Sequence, residues 1–262
     1  MNNNQITVEH DGHVFLIGIN RTEKMNAFSV EMYQNLALAY GELQRNPDYR
    51  CGVLFAHGNH FTGGLDLPEW AALFAEGRLP ELPQNAIDPM GLDGVNRLKK
   101  PLVMAVQGIC YTIGLELLLA SDIRVAAAGT RFSQLEIKRG IYPVGGATVR
   151  LMQEIGWGNA MRYLLTADEF SAEDAFRMGL VQEVTDTGRQ FDKALHIAQT
   201  VAKQAPLGVQ ATLASARLAR TKGDEAAFAR LIPDLIPLMK SEDVMEGLQA
   251  FIQRREANFK GR

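Results

Sequence analysis

The sequence predicts an α/β protein whose C-terminal part is helical. Three observations carry this. Apolar strand-like runs alternate with helical spacing over the first two-thirds of the chain. Two short segments, Phe61 to Leu67 and Gln107 to Glu116, each turn from a strand through small residues into a helix. From Phe191 onward almost every residue follows helical spacing. The chain has 262 residues, 47% of them hydrophobic and 22% charged, enough for one large α/β domain or a core with an appendage. The change of pattern divides it into a core over 1–190 and a helical region over 191–262.

The elements follow in order. Ile6 to Val8 and Val14 to Ile19 are β-rich runs joined by Asp11-Gly12, a strong hairpin signal. Ser29 caps a helix that runs to about Arg45, with Met32, Leu36, Ala39, Tyr40 and Leu43 on one face. Arg50 to Ala56 is a buried strand, and Asp66 to about Gly77 a helix. Gly77 to Pro89 holds three of the ten prolines and reads as a surface loop or a cover over a site. Gly91 to Lys99 reads as a short helix, Leu102 to Gln107 as a strand, Ile113 to Ser121 as a buried helix and Asp122 to Ala127 as a strand. Ser171 to Asp174 resembles a capping box, Gly179 a C-cap, and Leu180 to Val184 a last strand. Breaks in the helical region are expected at Pro206, Gly223, Pro233 and Pro237.

Composition excludes several function classes. The net charge of −3 gives no polyanion-binding surface, so no nucleic acid is expected. Cys51 and Cys110 sit in apolar contexts and read as buried free thiols, consistent with a reducing compartment. Met1 to Gln5 lacks the basic and apolar regions of a signal peptide, and no apolar run reaches the roughly 20 residues that span a bilayer. The expected setting is cytoplasmic and away from membranes. His57 and His60 flank Gly58-Asn59 without further ligands, so no metal is expected. No nucleophile elbow, Walker loop or dinucleotide fingerprint is present.

The chemistry sits at the two strand-to-helix junctions. Such a junction leaves backbone N–H groups unpaired and aims them at the space before the helix. Taken alone, each is an ordinary turn; two together can hold one oxyanion. Glu116 lies among Ile113, Leu115 and Leu117 to Leu119. A carboxylate in such a run either has a partner or has its pKa raised by desolvation, and the second case suits a catalyst near neutral pH. Phe132 to Glu136 supplies a second carboxylate; alone, Glu136 reads as a salt-bridged loop residue. Two N–H donors with two glutamates suit acid/base chemistry beside a carbonyl.

Asn20 to Ala27, Phe61 to Leu67, Lys100 to Gly108, Ser121 to Ala126, Ile141 to Gly146 and the stretch from Ser241 to Lys260 together resemble the crotonase, or enoyl-CoA hydratase/isomerase, superfamily. The resemblance covers nearly the whole chain in order. It implies a crotonase-like spiral of repeated ββα units with a helical C-terminal trimerisation region, assembled as a homotrimer or dimer of trimers. It implies an acyl-CoA thioester substrate, with coenzyme A as part of the substrate and no other cofactor. The oxyanion-hole donors would be the N–H groups of Leu65 and Ile113. Glu116 would polarise a water as base, and Glu136 would exchange the proton at the α-carbon. The N–H of Val144 would help place that water.

Lys24, Met25 and Ala27 would line the CoA path with Gly63, Gly64 and Asp66, and Phe259 and Lys260 would reach the nucleotide, in one arrangement from a neighbouring subunit. The implied reaction is reversible hydration of a 2-enoyl-CoA. Isomerisation, decarboxylation and thioester hydrolysis use the same enolate and are the alternatives, and a non-catalytic acyl-CoA or RNA-binding member is a third. Retention of both glutamates favours hydration. An acidic residue where Val144 stands is usual in dienoyl isomerases, which disfavours that subclass. Four residues depart from the pattern. Ile113 is bulkier than the usual glycine, Lys138-Arg139 is more basic than a plain fatty chain needs, and Tyr142 is large. They point to a specialised acyl group or an altered reaction.

Overall fold

A computed structural model describes residues 5–262. Strands β1 (Ile6–Asp11) and β2 (Val14–Ile19) form the antiparallel hairpin expected around Asp11-Gly12. Helix α1 (Val30–Arg45) starts where Ser29 caps it, its Oγ accepting from Met32 N at 3.1 Å. Then follow β3 (Cys51–Ala56), α2 (Leu67–Ala75), β4 (Leu102–Val106), β5 (Ile109–Tyr111), α3 (Ile113–Ala120), β6 (Ile123–Ala127) and β7 (Arg131–Ser133). After α4 (Ala147–Ile155) and α5 (Trp157–Thr166) come β8 (Phe170–Ser171), α6 (Ala172–Arg177) and β9 (Glu183–Thr185). The chain ends in α7 (Gln190–Ala202), α8 (Pro206–Lys222), α9 (Asp224–Phe228), α10 (Leu231–Leu238) and α11 (Glu242–Gln253).

The strands form two sheets. The larger has the order β1-β2-β3-β4-β6-β9, parallel from β2 onward; the smaller is β5-β7-β8. The chain visits them alternately. From β4 it crosses to β5 and enters α3; from β6 it crosses to β7 and leads on to α4. From β3 it reaches a lone bridge at Thr62, paired in parallel with Cys110, before α2. These are successive ββα turns of a spiral. Phe15, Ile17, Leu54, Met104 and Val106 form one core with α1 and α3. On the opposite face Val53, Val103, Ala105 and Val125 meet Ala194, Ala198 and Ala202 of α7. Small residues every four positions let α7 lie close on the sheet, so this helix packs with the spiral core rather than with the helices after it.

Two sequence expectations fail. Gly91 to Lys99 forms bends, not a helix. The Asp88 carboxylate accepts from Met90 N and Leu92 N, and Asp93 from Val95 N, so side chains compete for the N–H groups a helix needs. Arg150 also holds the carbonyls of Met90 and Gly91 at 2.6 and 2.8 Å. Neither Pro233 nor Pro237 breaks a helix, since both lie within α10. Pro233 falls in its first turn, where a missing N–H costs nothing. Pro206 and Gly223 do bound α8. The small sheet went unforeseen because strands of two or three residues carry no periodicity.

Candidate active site

The spiral brings the two strand-to-helix junctions together by register. Thr62 pairs with Cys110, and Cys110 with Phe132. Three residues further along each turn stand Leu65, Ile113 and Leu135, so the chain leaves the small sheet at the same level three times. Phe61 N and Thr62 N donate to Gln107 and Ile109 carbonyls, and Tyr111 N to Thr62, locking the first turn to the second. Thr112 N donates to Ser133 O at 2.9 Å, locking the second to the third. Among the described residues the N–H groups of Leu65, Ile113 and Val144 find no acceptor, as an oxyanion and water site requires.

The junction backbone is strained where it must be tight. Gly64 has φ +121°, and a Cβ there would come within 2.6 Å of Thr112 Oγ1. Thr112 itself holds φ 49° and ψ −114°, a left-handed position that costs a β-branched residue about 1–3 kcal/mol. Its hydroxyl is buried without a partner. Here the chain departs from the small residue expected at such a turn.

The two carboxylates face one cavity of about 90 Å³, lined also by Leu65, Phe74, Leu135 and Val144. Glu116 sits in the first turn of α3 and is 5% exposed. Its Oε1 accepts from Gly145 N at 2.6 Å and Ala147 N at 3.3 Å. A Cβ on Gly145 would overlap Glu116 Oε2 and the Met90 sulfur, so any larger residue there would push the carboxylate from its place. Burial, then the charge of Glu136, pushes the Glu116 carboxyl up to about 8, against the pull of the two N–H groups and Arg150.

Glu136 opens a short 3₁₀ helix, Glu136–Arg139, and is half-buried. Burial pushes its carboxyl up to about 7. With its amide turned to donate, Gln134 reaches both Glu136 oxygens at 2.8 and 2.9 Å. Turned the other way, it donates to Thr112 O at 3.3 Å and offers its own oxygen to a protonated Glu136. Gln134 thus fits either charge state. The N–H bonds to Glu116 favour its ionised form, whereas its higher pKa favours the proton there. Because the charge of Glu136 raises Glu116, the two titrate together, and the seat of a proton between them is a property of the pair.

The block Lys24 to Ala27 lies against the first junction. Gly63 N donates to Met25 O at 2.8 Å, and Thr62 Oγ1 to Asn26 O at 2.7 Å. Asp66 pairs with Arg21 at 2.9 Å and with the exposed Lys24 at 3.6 Å. Lys24, Met25, Ala27, Gly63, Gly64 and Asp66 are therefore brought together. Phe259 and Lys260 are not: Arg50, just before β3, donates to Phe259 O at 2.7 Å, and Asp243 accepts from Lys260 N. Within one chain they lie at the opposite end of β3 from the cavity.

Sequence reasoning missed Gln134 and Arg150, and gave Asn26 only as part of the CoA path from Lys24 to Ala27. Buried Asn26 accepts from Arg21 N and donates to the carbonyls of His57 and His60, fixing the turn that carries Lys24. The signal for Gln134 was its place two residues before a carboxylate; the contacts of Asn26 and Arg150 span long sequence separations and left none.

A family model described as enoyl-CoA hydratase/isomerase matches residues 9–262. Enoyl-CoA hydratase EchA19 of Mycobacterium tuberculosis is 34% identical over 97% of this chain and 96% of its own length. The (E)-benzylidenesuccinyl-CoA hydratase of Thauera aromatica is 31% identical over 98% and 99%. The crystal structure of a probable enoyl-CoA hydratase/isomerase from Mycobacterium abscessus superposes with TM-score 0.95 at 49% identity, covering all of both chains.

Proposed function

Because this chain belongs to the enoyl-CoA hydratase/isomerase family, we propose that it adds water reversibly across the double bond of a 2-enoyl-CoA thioester. The chain is an enzyme with enoyl-CoA hydratase-like function; the assignment of steps to residues is the proposal. The observation that carries it is the pair of carboxyls, both raised toward neutrality, facing one small cavity beside unpaired N–H groups.

The thioester oxygen sits between the N–H groups of Leu65 and Ile113, which together with the positive end of α3 stabilise the enolate. Removing one such donor typically costs about 10²–10³ in turnover. Glu116, its Oε1 anchored, presents Oε2 to a water that the Val144 N–H also holds. The water oxygen bonds to the β-carbon as its proton passes to the ionised carboxylate. The π electrons move onto the thioester oxygen as enolate, and the protonated carboxyl gives its proton to the α-carbon. One proton enters and one leaves the pair; it ends on the other carboxyl, and its return, directly or through the next water, restores the starting state. Coenzyme A enters as part of the substrate, along Lys24 to Ala27 and the Gly63 to Asp66 turn.

Phe259 and Lys260 reach a nucleotide only from a second copy. The exposed apolar residues Leu231, Ile232, Leu235 and Ile236 of α10 suit burial in a homotrimer or dimer of trimers. No helix of the described residues is long and apolar enough to cross a membrane, in keeping with a cytoplasmic setting. Isomerisation of a 3-enoyl-CoA is the second reading, since one carboxylate can shuttle a proton between two carbons. The test is to give the enzyme crotonyl-CoA and 3-hexenoyl-CoA separately. Loss of the enoyl-thioester absorbance from the first supports hydration. Its appearance from the second without loss from the first would replace hydration by isomerisation.

A further inference from the structure

One wall of the cavity carries a charge the hydration chemistry does not use. Among the described residues, Arg139 is the one basic side chain lining the cavity beside the two glutamates, and the other walls are mainly apolar. It is three residues beyond Glu136 in the 3₁₀ helix Glu136–Arg139. Such a helix has three residues per turn, so side chains at i and i+3 eclipse, about 6 Å apart along the axis. Arg139 therefore stands on the face that presents Glu136 to substrate, one turn further on. Lys138 falls on another face and does not line the cavity.

Arg139 is not spent elsewhere. Among the described residues it makes no ion pair and no side-chain hydrogen bond. The hydroxyl of Tyr142, exposed on the same wall, is a second donor with no partner among the described residues. The cavity opens to solvent on the side where Arg139, Ile141 and Tyr142 are exposed.

We infer that the acyl group carries a carboxylate beyond its double bond and that Arg139 is the residue that reads it. The inference rests on the proposed hydration and adds the substrate class. With the carbonyl at Leu65 and Ile113 and the double bond under the two glutamates, the next carbons run along the 3₁₀ helix toward Arg139. A guanidinium there meets a carboxylate in bidentate geometry, with Tyr142 as a further donor. A neutral methyl end offers the guanidinium no partner beyond the solvent it already faces.

The test uses hex-2-enoyl-CoA and hex-2-enedioyl-CoA, which differ only in a terminal methyl or carboxylate. The ratio of their kcat/KM values within one preparation is independent of the folded fraction. The wild type is expected to favour the diacid by about 10- to 100-fold. Arg139→Met should bring the ratio to one or below, and Arg139→Lys should leave it between, since charge remains without the planar fork. Equal handling by the wild type, or a ratio unmoved in Arg139→Met, overturns the inference; equal losses on both substrates would place Arg139 on the CoA portion instead. If neither thioester is hydrated, the hydration proposal fails. The Kd ratio of hexanoyl-CoA to adipoyl-CoA, with and without Arg139→Met, then decides the carboxylate reading by the same criteria.

Discussion

The two carboxylates occupy opposite kinds of wall. Glu116 stands on α3, in the apolar core, with one oxygen fixed by two backbone N–H groups and no room for a Cβ on Gly145. Glu136 stands on a four-residue 3₁₀ turn, half-buried, held through Gln134 and followed by exposed Arg139, Ile141 and Tyr142. In the proposed mechanism the first wall holds the carboxylate that handles the water. The second combines chemistry with a solvent-facing surface that can change without disturbing the core. In the proposed reading, Glu116 for the reaction and Arg139 for the substrate stand 23 residues apart in one chain.

The largest expected effects come from removing either charge. Glu116→Gln and Glu136→Gln should each lower kcat for crotonyl-CoA hydration by about 10²- to 10⁴-fold, with CoA affinity, read by calorimetry, little altered. Next comes the rigid wall itself. Gly145→Ala should displace Glu116 and cost about 10²-fold in kcat, whereas Ile141→Ala on the exposed wall should cost far less; equal losses would erase the contrast between the walls.

Titration gives a third, smaller effect. With carboxyls near 7 and 8 titrating together, kcat should peak between those values and fall about tenfold per pH unit well outside them. The same shifts bear on stability. Both folded-state values lie above the ordinary carboxylate range, so the folded protein binds more protons than the unfolded chain. Stability contributed by these groups therefore falls as pH rises from about 4.5 through 8. Glu116→Gln should raise Tm relative to wild type at pH 9 and not at pH 4.5. The smallest effect concerns the junction. Thr112→Gly should stabilise the fold by about 1 kcal/mol in denaturant unfolding, relieving the left-handed strain and removing the unpaired hydroxyl, less the added freedom of the unfolded chain.

The same contrast governs what could be read from sequence. Glu116 was legible because a charge inside Leu115 to Leu119 has few explanations. The Ser29 cap, the Asp11-Gly12 hairpin and the buried strands were legible because each rests on local chemistry. Glu136 showed nothing alone; its role came from resemblance and from a register set by Thr62, Cys110 and Phe132, which no local pattern encodes. The stretch from Gly91 to Lys99 misled because its geometry is dictated by Asp88 and by Arg150, 51 residues further along. Phe259 and Lys260 stand, within one chain, at the opposite end of β3 from the cavity, a separation no local pattern encodes.

The central claim is that Glu116 and Glu136 act on one water as a unit. The direct measurement is crotonyl-CoA hydration by wild type, Glu116→Gln, Glu136→Gln and the double variant under identical conditions. The account predicts that each single variant loses orders of magnitude and that the double variant is little worse than the poorer single, because residues that work together fail together. Near-wild-type turnover in either single variant, or losses that multiply in the double, would contradict it.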